Sequence, residues 1–222
     1  MKITFLGGGN MANALIGGML KQGFAAADIT VIDPGSAARD KLERTYAVNC
    51  LETGEMLDNV GDLLVLAVKP QQMKEAVAPL VGKLGNAVVV SIAAGLDLAT
   101  LARFLGGHRK IVRCMPNTPA LIGAGITGLC PLPEVSAAER EAADCVLSAV
   151  GSTVWIDNEG RMDGVTALSG SGPAYVFLFI EALQQAAADL GFTPEQGRQL
   201  AIETVQGAAA LAAQSDEPAS VL

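Results

Sequence analysis

Short apolar runs alternate with helical stretches through the first half of the chain, and this alternation constrains the fold more than any other feature. The predicted strands are Lys2–Leu6, Ile29–Ile32, Leu63–Val68 and Ala87–Ile92, with a shorter one near Lys110–Met115. The helices predicted between them are Met11–Gln22, Ala37–Arg44 and Gln72–Leu84. Apolar strands separated by helices are typical of a parallel sheet covered on both faces. The sequence therefore predicts an α/β fold that begins with a Rossmann-like, doubly wound parallel sheet.

The pattern changes after about Ser136. A helix over Ala137–Val150 and a short strand over Ser152–Ile156 are predicted, and strands then disappear. Two long helices follow over Pro173–Ala213, divided where Gly191 ends one helix and Thr193 caps the next. We therefore predict a dinucleotide-binding domain over residues 1–157 and an all-helical substrate and dimerisation domain over 158–222.

Composition and charge argue against several classes of protein. The 222-residue chain has a formal net charge of −8 and no basic stripe, so no nucleic-acid partner is expected. No unbroken apolar run reaches about 18 residues, so no membrane partner is expected either. The lack of CxxC pairs predicts a cytoplasmic protein with reduced, buried thiols at Cys50, Cys114, Cys130 and Cys145. Without a histidine, cysteine and carboxylate cluster, no metal site is predicted.

A glycine-rich turn follows the first predicted strand and opens the first helix. It fits G-x-G-x-x-A and is formed by Gly7, Gly8, Gly9, Asn10, Met11 and Ala12. Such a turn brings backbone amides and a helix N-terminus to a pyrophosphate, although ligand-free glycine turns also occur. Asp33, at the end of the second strand, is a candidate to bind the adenosine ribose hydroxyls or a simple turn residue.

The choice of cofactor stays open on the residues alone. Asp33 favours NADH, because a carboxylate repels a 2′-phosphate, whereas Ser36, Arg39 and Lys41 offset that repulsion. We predict NADPH as the cofactor, with NADH as the alternative.

Further candidates stand after later strands. Cofactor contacts are predicted from Ala67, Val68, Lys69 and Pro70, and from Ile92, Ala93, Ala94 and Gly95. A substrate site is predicted from Met115, Pro116 and Asn117, together with a small, hydroxyl-rich loop of Ser169, Gly170, Ser171, Gly172 and Pro173. The alternatives are a solvated strand-end charge at Lys69 and a plain helix N-cap in the loop.

The missing proton donors indicate the kind of reduction. His108 is the only histidine and falls in a predicted surface turn, and no lysine follows Lys110. Carbonyl reduction needs an acid for the developing alkoxide, whereas a protonated imine accepts a hydride and gives a neutral amine. The sequence therefore favours imine reduction. A β-hydroxy-acid-type dehydrogenase and a non-catalytic dinucleotide-binding protein remain as alternatives.

The chain resembles the pyrroline-5-carboxylate reductase family along essentially its whole length. The resemblance lies in GGGNMA at 7–12, AVKP at 67–70, SIAAG at 91–95, RCMPNTPA at 113–120 and TALSGSGPAY at 166–175. It implies NAD(P)H-dependent reduction of L-1-pyrroline-5-carboxylate to L-proline. It also implies a dimer built by the C-terminal helices, in some members a decamer, and a place for Asp216 near the substrate.

Two departures from the family pattern matter. Gly54 stands where the family often has an asparagine that contacts the cofactor. The family's carboxylate-binding loop, of the type S-P-G-G-T-T, with its threonine near the imine nitrogen, falls beyond Leu222, so no catalytic residue is assigned. A chain ending there is expected to bind NAD(P)H and to reduce the imine poorly.

An interface is also predicted from the apolar side chains of the last two helices. Together these side chains present more apolar surface than a helix pair on one small domain can bury. They are Tyr175, Phe177, Leu178, Phe179, Ile180, Leu183, Leu190 and Phe192.

Overall fold

The apolar runs form one eight-stranded sheet in the computed structural model, which describes residues 1–222. The strands are β1 Ile3–Leu6, β2 Ile29–Ile32, β3 Asn49–Leu51, β4 Leu63–Leu66, β5 Val88–Ser91, β6 Ile111–Met115, β7 Gly125–Pro131 and β8 Gly151–Trp155. Their order is β3-β2-β1-β4-β5-β6-β7-β8, and only the β6–β7 pair is antiparallel. The first six strands follow the order of dinucleotide-binding sheets, which confirms the predicted fold class.

Eight α-helices accompany the sheet. They are α1 Asn10–Lys21, α2 Ser36–Tyr46, α3 Met73–Val77, α4 Leu98–Phe104, α5 Ala137–Leu147, α6 Met162–Val165, α7 Gly172–Asp189 and α8 Pro194–Gln214. A π-helical turn over Thr166–Gly170 continues directly from α6.

Side chains alternate between the two faces of the sheet, and each face has its own core. One core contains Phe5 of β1 and is covered by α1 and α5, which contribute Leu15 and Val146. The opposite core is covered by α3 and α4, through Met73 and Leu101. The central strands β1, β4 and β5 are mostly apolar because every residue in them is buried.

Some elements depart from the predicted ones. Strands β3 and β7 and helix α4 were not predicted; β7, with sequence GITGLCP, has glycines that weaken a strand signal. The helix predicted over Gln72–Leu84 is only the short α3, followed by a 3-10 turn at Ala78–Leu80. Pro79 explains the break, because proline has no backbone N–H to continue an α-helix.

The chain forms two compact units, residues Met1–Gly170 and Ser171–Leu222. This division falls later than the predicted boundary at 157/158 because the intervening segment packs within the first unit. Met162 is buried in the second core, and Val165 lies against Gly128 of β7. The functional assignment of the two predicted domains stays a prediction.

The second unit is the pair α7 and α8. Thr193 caps α8: its hydroxyl accepts a hydrogen bond from the Gln196 amide at 3.3 Å, and the Gln196 side chain accepts one from the Thr193 amide at 3.0 Å. The predicted helix break at Gly191 and Thr193 is therefore confirmed. Gly197 lets the helices approach closely, since a Cβ there would lie 3.1 Å from the Ala187 Cβ.

Much of the apolar surface of this unit is uncovered within the chain. Tyr175, Phe177 and Leu178 are each 60–66% exposed, while Ile180 and Leu183 are half-buried. By length and composition alone, the helical stretch Glu159–Asp189 is apolar enough to cross a membrane. A single helix of this kind is a weak indication, and the absence of a membrane partner stays a prediction.

The four cysteines are free thiols in three different environments. Cys114 and Cys130 are buried, and burial raises the pKa of both thiols. Cys50 is half-buried, and burial together with the nearby Glu43 raises its pKa to about 11. Cys145 is exposed, so the prediction of four buried thiols is wrong at this position, and at the half-buried Cys50 it holds only in part.

Candidate functional site

Four neighbouring parallel strands end together at one edge of the sheet. Leu6 of β1, Leu66 of β4, Ser91 of β5 and Arg113 of β6 lie in one row across it. The segments predicted to contact the cofactor follow the first three of these strands. Open α/β sheets bind their ligands at this edge, so the first unit brings those segments together where a ligand site is expected.

Gly7 makes the first turn at this edge. Its φ is +103°, and a Cβ added there would lie 2.7 Å from the carbonyl oxygen of Ala67. Its amide donates a hydrogen bond to the Ile32 carbonyl at 2.8 Å. Only glycine fits this position, because both the backbone conformation and the contact with the chain after β4 exclude a side chain.

Asp33 braces the glycine turn. Its carboxylate accepts a hydrogen bond from the Gly8 amide at 2.7 Å and one from the Gly35 amide at 2.8 Å. The two bonds use different carboxylate oxygens, so Asp33 is a turn residue, as one of the two interpretations predicted. Each oxygen retains acceptor capacity, and a contact with the ribose remains a prediction.

Gly9 and the start of α1 form an open cradle. Gly9 has an ordinary φ of −70°, and a Cβ built on it meets no atom within 4 Å. No side chain caps α1, so the amides of its first turn, from Asn10 to Ala12, point toward this space. The partial positive charge of the helix end suits an anion. The free space beside Gly9 fits the pyrophosphate of a dinucleotide.

Asn13 supports the same turn and was not predicted from the sequence. Its side-chain amide donates hydrogen bonds to the carbonyls of Gly8 and Gly9, at 3.0 and 3.2 Å. These bonds give the two carbonyls of the turn a donor from α1 and so tie the turn to the helix. The sequence offered one indication of this role, because Asn13 has an amide side chain and directly follows the G-x-G-x-x-A pattern.

The segments after β4 and β5 offer little side-chain bulk. Ala67 and Val68 are half-buried beside Gly7, Lys69 is exposed, and Pro70 begins a 3-10 turn. The second segment is half-buried at Ile92, buried at Ala93 and exposed at Ala94 and Gly95. The structure therefore places small, accessible residues and the unpaired side chain of Lys69 near the glycine turn.

The turn after β6 is tied to β7 through Asn117. Its side-chain carbonyl accepts a hydrogen bond from the Ile126 amide at 3.0 Å, and the residue is only 8% exposed. Met115 and Pro116 are half-buried. Asn117 thus has a structural role that sequence analysis did not identify, and its contact with a substrate stays a prediction.

The predicted hydroxyl-rich loop is helical as far as Gly170. The Thr166 hydroxyl donates to the Met162 carbonyl and the Ser169 hydroxyl to the Val165 carbonyl, both at 3.0 Å. A Cβ on Gly170 would lie 2.7 Å from the Met115 Cε, so the π-helical turn contacts the β6 turn. Turns of this kind are frequent at functional sites.

The remaining predicted substrate residues belong to the second unit. Ser171 precedes α7, and Gly172 and Pro173 are its first residues, with no side chain capping its amides. Asp216 is exposed after the end of α8. Their roles stay predictions.

Two further positions bear on expectations from the sequence. Gly54 is buried, and a Cβ there would lie 2.6 Å from the Leu80 Cδ2, so this position has no room for an asparagine side chain.

His108 is half-buried and donates a hydrogen bond from its ring Nε2 to the Ala87 carbonyl at 2.9 Å. It lies at the start of β5, opposite the edge that carries the glycine turn.

Comparison with known proteins places these features in a family. A family model described as pyrroline-5-carboxylate reductase dimerisation matches residues 159–222, and one described as NADP oxidoreductase, coenzyme F420-dependent, matches residues 2–95. A pyrroline-5-carboxylate reductase of Pseudomonas aeruginosa is 45% identical over 99% of this chain and 81% of its own length.

Solved structures agree with this similarity. A pyrroline-5-carboxylate reductase from Coxiella burnetii matches with a TM-score of 0.93 and 36% identity, over 99% of this chain and 82% of its own. A Plasmodium falciparum pyrroline carboxylate reductase with NADP bound matches with a TM-score of 0.87 and 30% identity, over 99% of this chain and 81% of its own.

Proposed function

Because this chain belongs to the pyrroline-5-carboxylate reductase family, we propose that it reduces L-1-pyrroline-5-carboxylate to L-proline with NAD(P)H. This reaction is the last step of proline biosynthesis. The observation that carries the proposal is the 45% identity over 99% of the chain, joined to a glycine turn whose open side fits a dinucleotide.

The residues of the first unit fit the cofactor. The amides at the start of α1 would hold the pyrophosphate, and the free side of Gly9 gives it room. Small residues at Ala94 and Gly95 leave space for a flat ring near the strand ends. When bound, the cofactor supplies the hydride, and these residues orient it and keep bulky side chains away.

The substrate chemistry suits a site with few acids. A cyclic imine is readily protonated, the hydride adds to the iminium carbon, and the product is a neutral amine, so no oxyanion needs stabilising. His108 lies at the opposite edge of the sheet and takes no part in this scheme. Met115, Pro116 and Asn117 with Ser169–Pro173 are the proposed substrate contacts, joined by Asp216, and support for these roles comes from the family resemblance.

NADPH is the proposed cofactor, with NADH as the alternative. Asp33 is occupied with the amides of Gly8 and Gly35, and the Arg39 guanidinium donates to the Asp33 carbonyl at 2.7 Å. A half-buried cation therefore lies next to the backbone of Asp33, and it also pairs with Glu52 at 3.6 Å. Fluorescence titration with NADPH and NADH tests this. Arg39→Gln is expected to weaken NADPH binding while leaving the NADH affinity unchanged.

The protein acts on a small molecule and forms a homo-oligomer. We propose that the oligomer is a dimer built by α7 and α8, whose aromatic side chains are exposed in the single chain, and that dimers assemble further into a decamer. The apolar stretch Glu159–Asp189 falls within the region matched by the dimerisation model, which favours a subunit interface over a membrane. We also propose that the protein is cytoplasmic. Sedimentation of a dilute sample as a compact monomer would contradict the dimer.

The activity is tested by following oxidation of NAD(P)H with pyrroline-5-carboxylate beside a panel of hydroxy-acid and aldehyde or ketone substrates. Cofactor oxidation with the imine alone, and proline as the product, is the expected result. Turnover of a carbonyl compound without turnover of the imine would support the hydroxy-acid dehydrogenase instead. Cofactor binding without any turnover would support the non-catalytic alternative.

A further inference from the structure

One carboxylate oxygen joins two separate segments at the ligand edge of the sheet. Oε1 of Glu159 accepts a hydrogen bond from the Leu98 backbone amide at 2.7 Å and another from the Arg113 guanidinium at 2.9 Å. The Arg113 side chain is 10% exposed and that of Glu159 30%, so the pair lies largely out of water. Charged hydrogen bonds are stronger and better defined there than on an open surface.

The two partners come from different parts of the candidate site. Leu98 is the first residue of α4 and ends the loop that contains Ile92–Gly95, the predicted cofactor contact. Arg113 lies in β6, two positions before Met115, the first residue of the predicted substrate turn. Glu159 therefore ties the end of the cofactor loop to the strand that leads into the substrate turn.

Glu159 also stands at the head of the segment that ends in the π-helical turn. Met162 of that segment is buried in the core, Val165 packs on Gly128, and Gly170 contacts Met115. The segment is thus held at its start by the Glu159 hydrogen bonds and at its end by the Met115 contact. A shift at Glu159 would be passed to the π-helical turn through one continuous helix.

We propose that Glu159 is a positioning residue, which sets the distance between the cofactor loop and the substrate turn through its bonds to Leu98 and Arg113. This inference rests on the proposed reductase function. Glu159 itself touches neither cofactor nor substrate in this scheme. Small displacements of reacting groups are costly, because a shift of about 1 Å can lower a rate by about a hundredfold.

Two variants separate the geometry from the charge. Glu159→Ala removes both hydrogen bonds, and we expect kcat/KM for the imine to fall by at least about tenfold, mainly in kcat. Glu159→Gln keeps a side-chain carbonyl that can accept both bonds, so it is expected to restore most of this loss. The dissociation constant of NADPH is expected to change less than kcat/KM in both, because Glu159 bonds only to the end of the cofactor loop and not to the glycine cradle.

A matched control is available on the surface. Arg109 donates to Oε1 of Glu134 at the same 2.9 Å, and both side chains are largely exposed. Glu134→Ala removes an equivalent arginine–glutamate pair away from the ligand edge. It is expected to leave kcat, KM and the cofactor affinity unchanged.

A double variant distinguishes positioning from stability. Glu159→Ala leaves the Arg113 charge buried without its partner, which lowers the melting temperature, whereas Arg113→Met combined with Glu159→Gln removes both charges. We expect the double variant to recover the melting temperature and to retain a low kcat, because the strand is no longer tied to the loop. Recovery of kcat together with the melting temperature would overturn the proposal, as would a Glu159→Ala variant with the kinetics of Glu134→Ala. A wild-type protein that binds NADPH but does not reduce the imine would instead overturn the proposed function.

Discussion

The glycine turn after β1 and the helical segment from Glu159 to Gly170 meet the same edge of the sheet, but different interactions form them. The glycine turn depends on a residue type that the sequence shows directly, because Gly7 has a φ of +103°. Asp33 and the Ile32 carbonyl then hold this turn in place. The helical segment is held by partners far away in the chain, such as Leu98 and Arg113. A residue type that the backbone conformation requires is visible in the sequence, whereas a hydrogen bond to a distant residue is not.

Gly7→Ala should destabilise the glycine turn more than any other variant proposed for these two regions. The new Cβ meets the Ala67 carbonyl and the backbone is strained, so we expect a loss of about 3 kcal/mol in the free energy of unfolding. Urea unfolding measures it. Gly9→Ala is the matched control, because a Cβ there meets nothing within 4 Å, and it should unfold like the wild type. Equal stability of the two variants would mean that the turn is not constrained as described.

Gly9→Val separates the contribution of the glycine turn to ligand binding from its contribution to stability. The valine side chain occupies the open side of the cradle, where a pyrophosphate fits, and Gly9 has an ordinary backbone conformation. We expect NAD(P)H to bind at least about tenfold more weakly, with the melting temperature unchanged. Cofactor fluorescence titration decides it. Unchanged affinity would assign the glycines a purely structural role.

Gly170→Ala tests the second region. Its Cβ would lie 2.7 Å from the end of the flexible Met115 side chain, which can move aside, so a destabilisation of about 1 kcal/mol is expected. Gly164→Ala in α6 is the control, since its Cβ meets no atom within 4 Å. Thermal unfolding compares the two. A Gly170→Ala protein as stable as Gly164→Ala would mean that the π-helical turn is not packed tightly against Met115.

The fold was predictable because its signals are local. Continuous apolar strands and the glycine turn predicted the doubly wound sheet, and Thr193 with Pro194 predicted the start of α8. The bonds of Glu159 to two distant segments were not predictable, because they join residues far apart in the chain. The bond of Asn117 to Ile126 is more local, but it was missed because β7 itself was not predicted. The π-helical turn was missed for a related reason, since its glycines and hydroxyls also suit a loop.

His108→Ala should have the smallest effect. The imidazole donates to a backbone carbonyl at the far edge of the sheet, and imine reduction needs no histidine acid. We expect turnover within about twofold of the wild type. Steady-state kinetics with the imine measures it. A loss of a hundredfold or more in kcat at unchanged cofactor affinity would favour the carbonyl-reducing alternative.

The proposed reaction transfers a hydride from NAD(P)H to the carbon of a cyclic imine. Its most direct test is incubation with pyrroline-5-carboxylate and NADPH that carries deuterium at the transferable position of the nicotinamide, followed by mass analysis of the product. We expect proline that carries the deuterium on the former imine carbon. Oxidation of the labelled cofactor without labelled proline would contradict it.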